Sequence, residues 1–174
     1  MTKSRSLTPT SYLVLGLVAR EGACTSYDMK VLVSHSIGYF WTFPHSQLYA
    51  EPARLAGLGL LTEEQETSGR KRRTYRLTDA GRAALQEWLS QPNDEPTEIR
   101  DLSVLKLFFG RQTEPAQLRE LAKHAADAHR RRLVEYEEIA AIEGIDTHER
   151  ATLELGLRFE RNAITYWEEV ERDL

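Results

Sequence analysis

The 174-residue sequence contains little cysteine, no long apolar run and none of the short motifs that mark common enzymes. Its single cysteine, Cys24, excludes an intramolecular disulfide and a cysteine-cluster metal site, and we expect it to be a small buried residue. No apolar run approaches the ~20 residues of a membrane-spanning helix, and no secretory stretch follows the N-terminus. We therefore expect a cytoplasmic protein without a membrane partner.

Catalytic and cofactor-binding patterns are missing as well. The sequence has no HExxH, P-loop, GxGxxG or GxSxG motif. His124 and His129 lie five residues apart, so they do not align like the zinc-binding pair of a helix. The carboxylates of the second half are interspersed with arginines, which is typical of a solvated helix face. We expect no enzyme activity, no metal and no cofactor.

Charge divides the chain into two unlike halves. Residues 1–92 hold 11 basic and 8 acidic residues (+3), whereas residues 93–174 hold 12 and 19 (−7). A basic half can face phosphate, and an acidic half is repelled by it. The sign changes at a polar stretch with two prolines, residues 91–96, which predicts a domain boundary. We place one domain at 1–92 and the other at 93–174.

Capping residues predict three short helices in the first half. Thr8 is typical of an N-cap and Gly22 of a C-cap, so they bound the first helix, which is apolar on nearly every side. Thr25, with Asp28 three residues later, predicts the start of the second helix. A third helix begins near Ser46. Three short helices within about 60 residues are the spacing of a helix-turn-helix unit.

A β-hairpin and a fourth helix are predicted to follow. Residues 60–66 and 73–77 read as strands, and polar and apolar residues alternate in the second of them. The basic run 69–73 lies at the hairpin tip, and Thr78 then caps a helix over 79–89. The fold class predicted for the whole chain is mainly α with a small β-hairpin wing.

The second half is predicted to be entirely helical. Apolar residues at helical spacing mark one helix between Ile99 and Phe109 and two long helices separated near Gly144. We expect that the two long helices cannot bury their apolar faces against each other alone, and that a second copy of the chain covers the remainder. The expected dimerisation residues are Leu153, Leu157, Ile164, Trp167 and Val170.

Four local patterns together resemble the PadR family of bacterial repressors: residues 46–49, 55–61, 69–73 and 75–82. The last is the most specific, because it joins a wing strand directly to a capped helix. The resemblance spans the whole chain. It implies a winged helix-turn-helix with a C-terminal helical dimerisation domain, and a repressor that binds a pseudo-palindromic double-stranded DNA operator as a homodimer.

The candidate DNA contacts lie on the third helix, the second helix and the wing. The N-terminal residues of a recognition helix face base edges, and Gln47 can pair bidentately with adenine. Helix capping is the alternative role for Ser46, and a solvated charge the alternative for Arg54. The family commonly has proline directly after Tyr49, whereas here the proline is Pro52, inside the predicted helix. The contacts are Tyr27, His45, Ser46, Gln47, Tyr49, Arg54, Arg70, Lys71, Arg72 and Arg73.

Consecutive cations at the wing tip repel one another unless phosphate neutralises them, and a solubilising loop is the alternative. The alternative for the whole protein is an adaptor that binds other proteins. The resemblance also implies control by a small aromatic or hydrophobic effector in some members of the family. Aromatic side chains that are candidates for stacking on it are Trp88, Tyr166 and Trp167, with dimer core as the alternative for Trp167.

Overall fold

The structure is a computed structural model that describes residues 6–34, 36–41, 43–44, 46–67 and 71–174. It divides into two units, residues 1–95 and 96–174. The elements of the first unit are α1 (Pro9–Glu21), β1 (Cys24–Thr25), α2 (Ser26–Ser34), a 3-10 turn (Ile37–Tyr39), α3 (Gln47–Gly57), β2 (Leu61–Gln65), β3 (Arg73–Leu77) and α4 (Asp79–Ser90).

The predicted helix caps are confirmed. Thr8 accepts a hydrogen bond from the third residue of α1, and Gly22 ends that helix at φ 74°. Thr25 and Asp28 cap α2 reciprocally, since the Asp28 carboxylate accepts from the Thr25 N–H at 2.9 Å and the Thr25 hydroxyl accepts from the Asp28 N–H at 3.2 Å. The Thr78 hydroxyl accepts from the Gly81 N–H at 3.0 Å and caps α4.

The predicted hairpin is also confirmed, and a third strand joins it. The described sheet has the order β1-β3-β2, with both pairings antiparallel. Leu61 lies opposite Leu77, and Glu63 opposite Tyr75. Strand β1 pairs Cys24 with Tyr75. Sequence analysis missed it because two residues are too few to show an alternating pattern.

The core of the first unit forms around α1. Val14, Leu15 and Val18 are fully buried, as expected for a helix that is apolar on nearly every side. They belong to one cluster with Leu48 and Leu55 of α3, so the core fixes one face of α3 against α1. The opposite face of α3 is left for solvent or a ligand.

Helix α3 continues through its proline. Pro52 is the sixth of its eleven residues and its side chain is buried. The helix begins at Gln47, directly after Ser46, so regular structure does not start later because of Pro52. Pro52 has no N–H to donate to the carbonyl of Leu48, which removes one backbone hydrogen bond between the first turn and the rest of the helix.

The second unit consists of α5 (Leu102–Phe108), a 3-10 turn (Gly110–Gln112), α6 (Pro115–Ala140) and α7 (Thr147–Asp173). Helix α5 is shorter than the sequence pattern suggested and does not include Ile99 or Phe109. Helices α6 and α7 are antiparallel, because Arg130 near the middle of α6 pairs with Glu168 late in α7, whereas Glu137 further along α6 pairs with Arg161, earlier in α7.

The expected dimerisation stripe is buried within a single chain. Leu153 and Leu157 are 7% exposed, and Trp167, only 2% exposed, belongs to a cluster with alanines of α6. These three side chains therefore pack inside the unit, although other apolar residues of the two helices remain exposed. Small side chains on α6 let α7 approach closely, so the large side chains of α7 find space inside the unit. The other two expected dimer residues, Ile164 and Val170, are partly buried.

Exposed apolar side chains of the second unit lie elsewhere. Phe108 is 81% exposed, and the other apolar residues of α5 are exposed as well except Leu107, which packs against the Trp167 cluster. A single chain rarely leaves this much apolar surface uncovered. These residues, together with exposed ones on α6, α7 and the segment between them, are Ile99, Leu102, Val104, Leu105, Phe108, Phe109, Val134, Ile142, Leu155, Phe159 and Tyr166.

Candidate DNA-binding interface

The start of α3 presents two polar side chains. Ser46 and Gln47 are both exposed. Ser46 has helical backbone angles and its side chain makes no cap hydrogen bond, so helix capping does not account for it. Gln47 is the first residue of α3, and its Oε1 accepts a hydrogen bond from the Thr10 hydroxyl at 2.9 Å. His45 lies outside the described residues.

Tyr49 and Arg54 lie further along α3 in different surroundings. Tyr49 is 53% exposed. Arg54 is not a solvated charge, because its guanidinium donates to both carboxylate oxygens of Glu51, at 2.6 and 2.9 Å, and to the Ser11 hydroxyl at 3.0 Å. Arg54 therefore has its partners within the protein, and we do not include it among the proposed DNA contacts.

The Glu51–Arg54 pair is an electrostatically coupled group. Hydrogen bonding from Arg54 holds the pKa of the Glu51 carboxyl below its ordinary value despite partial burial, and the Ser11 hydroxyl adds to this effect. The same bond raises the pKa of Arg54. Both residues are ionised near neutral pH, so the pair is a fixed charged contact between α3 and the N-terminal end of α1.

The wing carries cations at its tip and carboxylates along one strand. Lys71 and Arg72 are exposed, and Lys71 has a φ of 50°, in the left-handed region. Arg73 forms an ion pair with Glu63 on β2, with 3.4 Å between Arg73 Nη1 and Glu63 Oε1. At least one cation of the run 69–73 is therefore paired within the protein. Sequence analysis missed this pairing, although the acidic residues of 60–66 were its signal. Arg70 lies outside the described residues.

Tyr27 is the second residue of α2 and is 66% exposed, so it is a surface residue and not part of the core. Its position beside the N-terminal end of α2 is compatible with a phosphate contact, since helix N-termini attract anions.

The three aromatic effector candidates have different surroundings. Trp88 of α4 is stacked on Tyr12 of α1, with ring centroids 4.6 Å apart and an interplanar angle of 4°. Trp167 is buried within the second unit and leaves almost no surface for a ligand. Tyr166 is 43% exposed and packs edge-on against Trp167, with ring centroids 5.2 Å apart. Trp88 is 40% exposed, so Trp88 and Tyr166 both keep surface that a ligand could contact.

Cys24 is buried, as expected, and lies in the first unit with its thiol toward the carbonyl of Leu17 at 3.8 Å. Burial, reinforced by the carboxylates of Glu21 and Asp28, raises the pKa of this thiol to about 11. We expect the folded protein not to react with a maleimide near neutral pH, and the protein in denaturant to react fully. Rapid labelling of the folded protein, measured by mass spectrometry, would contradict the buried position.

In the described part of the chain, no three His, Cys, Asp or Glu side chains are grouped so as to hold a metal ion. Within that same part, no helix combines the length and apolar character needed to cross a membrane.

Two family models match the chain, one in each unit. The "Transcriptional regulator PadR-like family" matches residues 14–87, and "Virulence activator alpha C-term" matches residues 99–174. The negative transcriptional regulator PadR of Bacillus subtilis (strain 168) is 34% identical over 100 residues. That alignment covers 56% of this chain and 54% of the Bacillus protein, so it spans about half of the relative's length.

Solved structures extend the similarity to both units. Bacillus subtilis PadR in complex with operator DNA matches with a TM-score of 0.83 and 26% identity, over 95% of this chain and 98% of that one. The chain belongs to the PadR-like family of transcriptional regulators. Its fold is therefore that of the PadR winged helix-turn-helix regulators, as the sequence predicted.

Two further solved structures match along nearly the whole chain. The Vibrio cholerae virulence activator AphA is 30% identical and has a TM-score of 0.72, covering 93% of this chain and 96% of that one. Bacillus subtilis PadR in complex with p-coumaric acid has a TM-score of 0.76 at 24% identity, covering 95% and 96% of the two chains, and this likeness is one of fold.

Proposed function

We propose that this PadR-like transcriptional regulator is a cytoplasmic repressor that binds a pseudo-palindromic DNA operator as a homodimer. In this proposal residues 1–92 bind DNA, with the start of α3 in the major groove and the wing tip on the backbone, and residues 93–174 dimerise. The observation that carries it is the exposed start of α3, where Ser46 makes no cap hydrogen bond and Gln47 is exposed beside it.

The proposed DNA contacts follow from exposure and charge. Ser46, Gln47 and Tyr49 are exposed on α3, and Lys71 and Arg72 on the wing. Tyr27 and Arg73 are auxiliary contacts, and His45 and Arg70 flank the described ones in sequence. Two recognition helices of a two-fold dimer read half-sites ~34 Å apart, about one helical turn of DNA.

The homodimer is supported by the exposed apolar side chains around α5 and on α7. Because Leu153, Leu157 and Trp167 are buried within the chain, the proposed dimer uses these other residues instead. Repression is supported by the name of the Bacillus relative, a negative regulator. Release by a small aromatic or hydrophobic effector is proposed from the p-coumaric acid complex of that protein, with Trp88 and Tyr166 as the exposed aromatic candidates.

DNA binding is tested by a gel shift on DNA upstream of the gene across a salt series. A phosphate-driven complex has a slope of about −0.9 in log K against log salt for each phosphate contacted. Replacing Lys71 and Arg72 together with alanine is expected to weaken binding and to reduce the magnitude of this slope by about 2. Arg73 is left unchanged because Glu63 already pairs with it.

A matched control replaces Lys123 and Arg131, two exposed cations of α6, with alanine. This variant loses the same charge from the second unit, and we expect its salt slope to equal that of the unmodified protein. An equal loss in both variants would show that only net charge matters. Absence of binding at low salt would refute the DNA-binding proposal.

A further inference from the structure

A polar network joins the N-terminal end of α1 to one face of α3. Gln47, Glu51 and Arg54 are spaced four and three residues apart, so they share that face. The Thr10 hydroxyl donates to Gln47 Oε1 at 2.9 Å. The next residue, Ser11, donates from its hydroxyl to Glu51 Oε1 at 2.6 Å. Arg54 closes the network by donating to both Glu51 and Ser11.

The part of this network around Ser11 and Glu51 is shielded from water, whereas the hydrogen bond between Thr10 and Gln47 is exposed. Ser11 is fully buried, and only 14% of the Glu51 side chain is exposed. Buried polar groups are costly unless they are hydrogen-bonded, so Ser11 and Glu51 need their partners in these positions. These hydrogen bonds therefore hold α1 and α3 in one relative position. Apolar contacts alone are less directional and would restrict that position less.

Because of Pro52, the first turn of α3 depends more on the side-chain hydrogen bonds from α1 to hold it in place. Because the proline leaves the Leu48 carbonyl without its helical donor, the turn that carries Gln47 has one backbone bond fewer to the rest of the helix. Thr10 contacts that turn directly, and Ser11 contacts the following turn through Glu51. Side-chain bonds from α1 thus replace part of the missing backbone restraint.

We propose that Thr10 is a specificity-determining residue that acts by fixing the orientation of the Gln47 amide. Reading adenine requires the amide oxygen to accept from the base N6 and the amide nitrogen to donate to N7, so the order of the two atoms matters. Guanine offers two acceptors, O6 and N7, and needs only the amide nitrogen. The Thr10 hydroxyl, by donating to the Gln47 oxygen, stabilises one of the two orientations of the amide over the other and so favours adenine.

This inference rests on the proposed DNA-binding function. Its test is selection of binding sites from a randomised duplex library, followed by titration of the selected operator and of the same operator with guanine in place of the adenine read by Gln47. Thr10→Val keeps the shape of the side chain and removes the hydroxyl. We expect the preference for adenine over guanine to fall by about fivefold, the effect of losing one neutral hydrogen bond. The salt slope should not change.

Two further variants separate base preference from stability. Thr10→Ser keeps the hydroxyl and is expected to keep the preference for adenine. Thr165→Val makes the same change on an exposed face of α7 and is expected to alter neither preference nor melting temperature. A purely structural role for Thr10 would lower the affinity for all sequences alike, and this outcome would overturn the inference.

The outcomes also separate this inference from the proposed function. If the unmodified protein binds a selected operator but Thr10→Val keeps the same adenine-to-guanine ratio, the role of Thr10 is refuted and the DNA-binding proposal stands. If Thr10→Ser loses the preference as fully as Thr10→Val, the hydroxyl is not responsible and the inference also fails. If the unmodified protein selects no sequence, both proposals are overturned.

Discussion

Gly81→Ala is expected to lower the free energy of unfolding of the first unit by about 3 kcal/mol. A Cβ atom at this position would lie 2.1 Å from the carbonyl oxygen of Leu60 and 3.0 Å from the Leu77 side chain. The Leu60 carbonyl cannot withdraw freely, because it accepts hydrogen bonds from the backbone N–H and the hydroxyl of Thr78. Denaturant unfolding followed by circular dichroism measures the loss.

Gly57→Ala provides the matched control for this prediction. A Cβ atom at Gly57, the last residue of α3, would meet nothing within 4 Å, and the backbone does not need a positive φ there. Alanine favours a helix over glycine by up to about 1 kcal/mol, so a small gain or no change is expected. Equal destabilisation by the two alanines would mean that the close approach of the Leu60 carbonyl to Gly81 is not the cause of the loss in stability.

Trp167→Ala is expected to destabilise the second unit by about 3–5 kcal/mol. The indole is 2% exposed and belongs to a cluster that includes Ala122, Ala125 and Ala126. Removing it leaves a cavity that these small side chains cannot fill. Thermal unfolding followed by far-ultraviolet circular dichroism, at several protein concentrations, gives the change in melting temperature and separates stability from association.

Tyr166→Ala is the neighbouring control. Tyr166 is on the same helix, but its side chain is 43% exposed, and we expect its removal to cost about 1 kcal/mol or less. If Trp167→Ala weakened only dimerisation and left the unfolding free energy unchanged, the original assignment of Trp167 to the dimer interface would be correct and its burial within the chain would not.

Local features of the fold were predictable from the sequence because their causes are local. Thr8, Gly22 and Thr78 act on backbone groups within a few residues, so a short stretch of sequence contains both partners. The hairpin was predictable for the same reason, since alternation in Arg73–Leu77 distinguishes its two faces directly. Strand β1 depends on pairing with Tyr75, fifty residues away in sequence, and carries no local signal.

The partner of an apolar stripe was not predictable. Helical spacing correctly grouped Leu153, Leu157 and Trp167 on one face of α7, but periodicity does not say which surface covers that face. The answer depends on alanines of α6 that make room for the indole, more than forty residues earlier in the chain. A sequence rich in alanine on a facing helix is a weak sign of such close packing.

Among the candidate DNA-binding residues, local features were again predictable and contacts between distant segments were not. Gln47 could be nominated from its place at the start of a helix. The Glu51–Arg54 pair could have been read from its three-residue spacing. The contacts from Thr10 and Ser11 could not, because each joins α1 to α3 across about forty residues of chain.

The ion pair between Arg73 and Glu63 gives the wing a built-in counterion. When a cation of a DNA-binding protein meets phosphate, most of the gain comes from ions released into solution. Those ions are cations condensed on the DNA, so a phosphate that met Arg73 would still release them. Glu63 is covalently part of β2, however, and its carboxylate would stay close to that phosphate and repel it. The ion pair therefore holds Arg73 in place before DNA arrives but reduces its net attraction for phosphate. We expect the tip residues Lys71 and Arg72 to supply most of the wing's attraction for DNA.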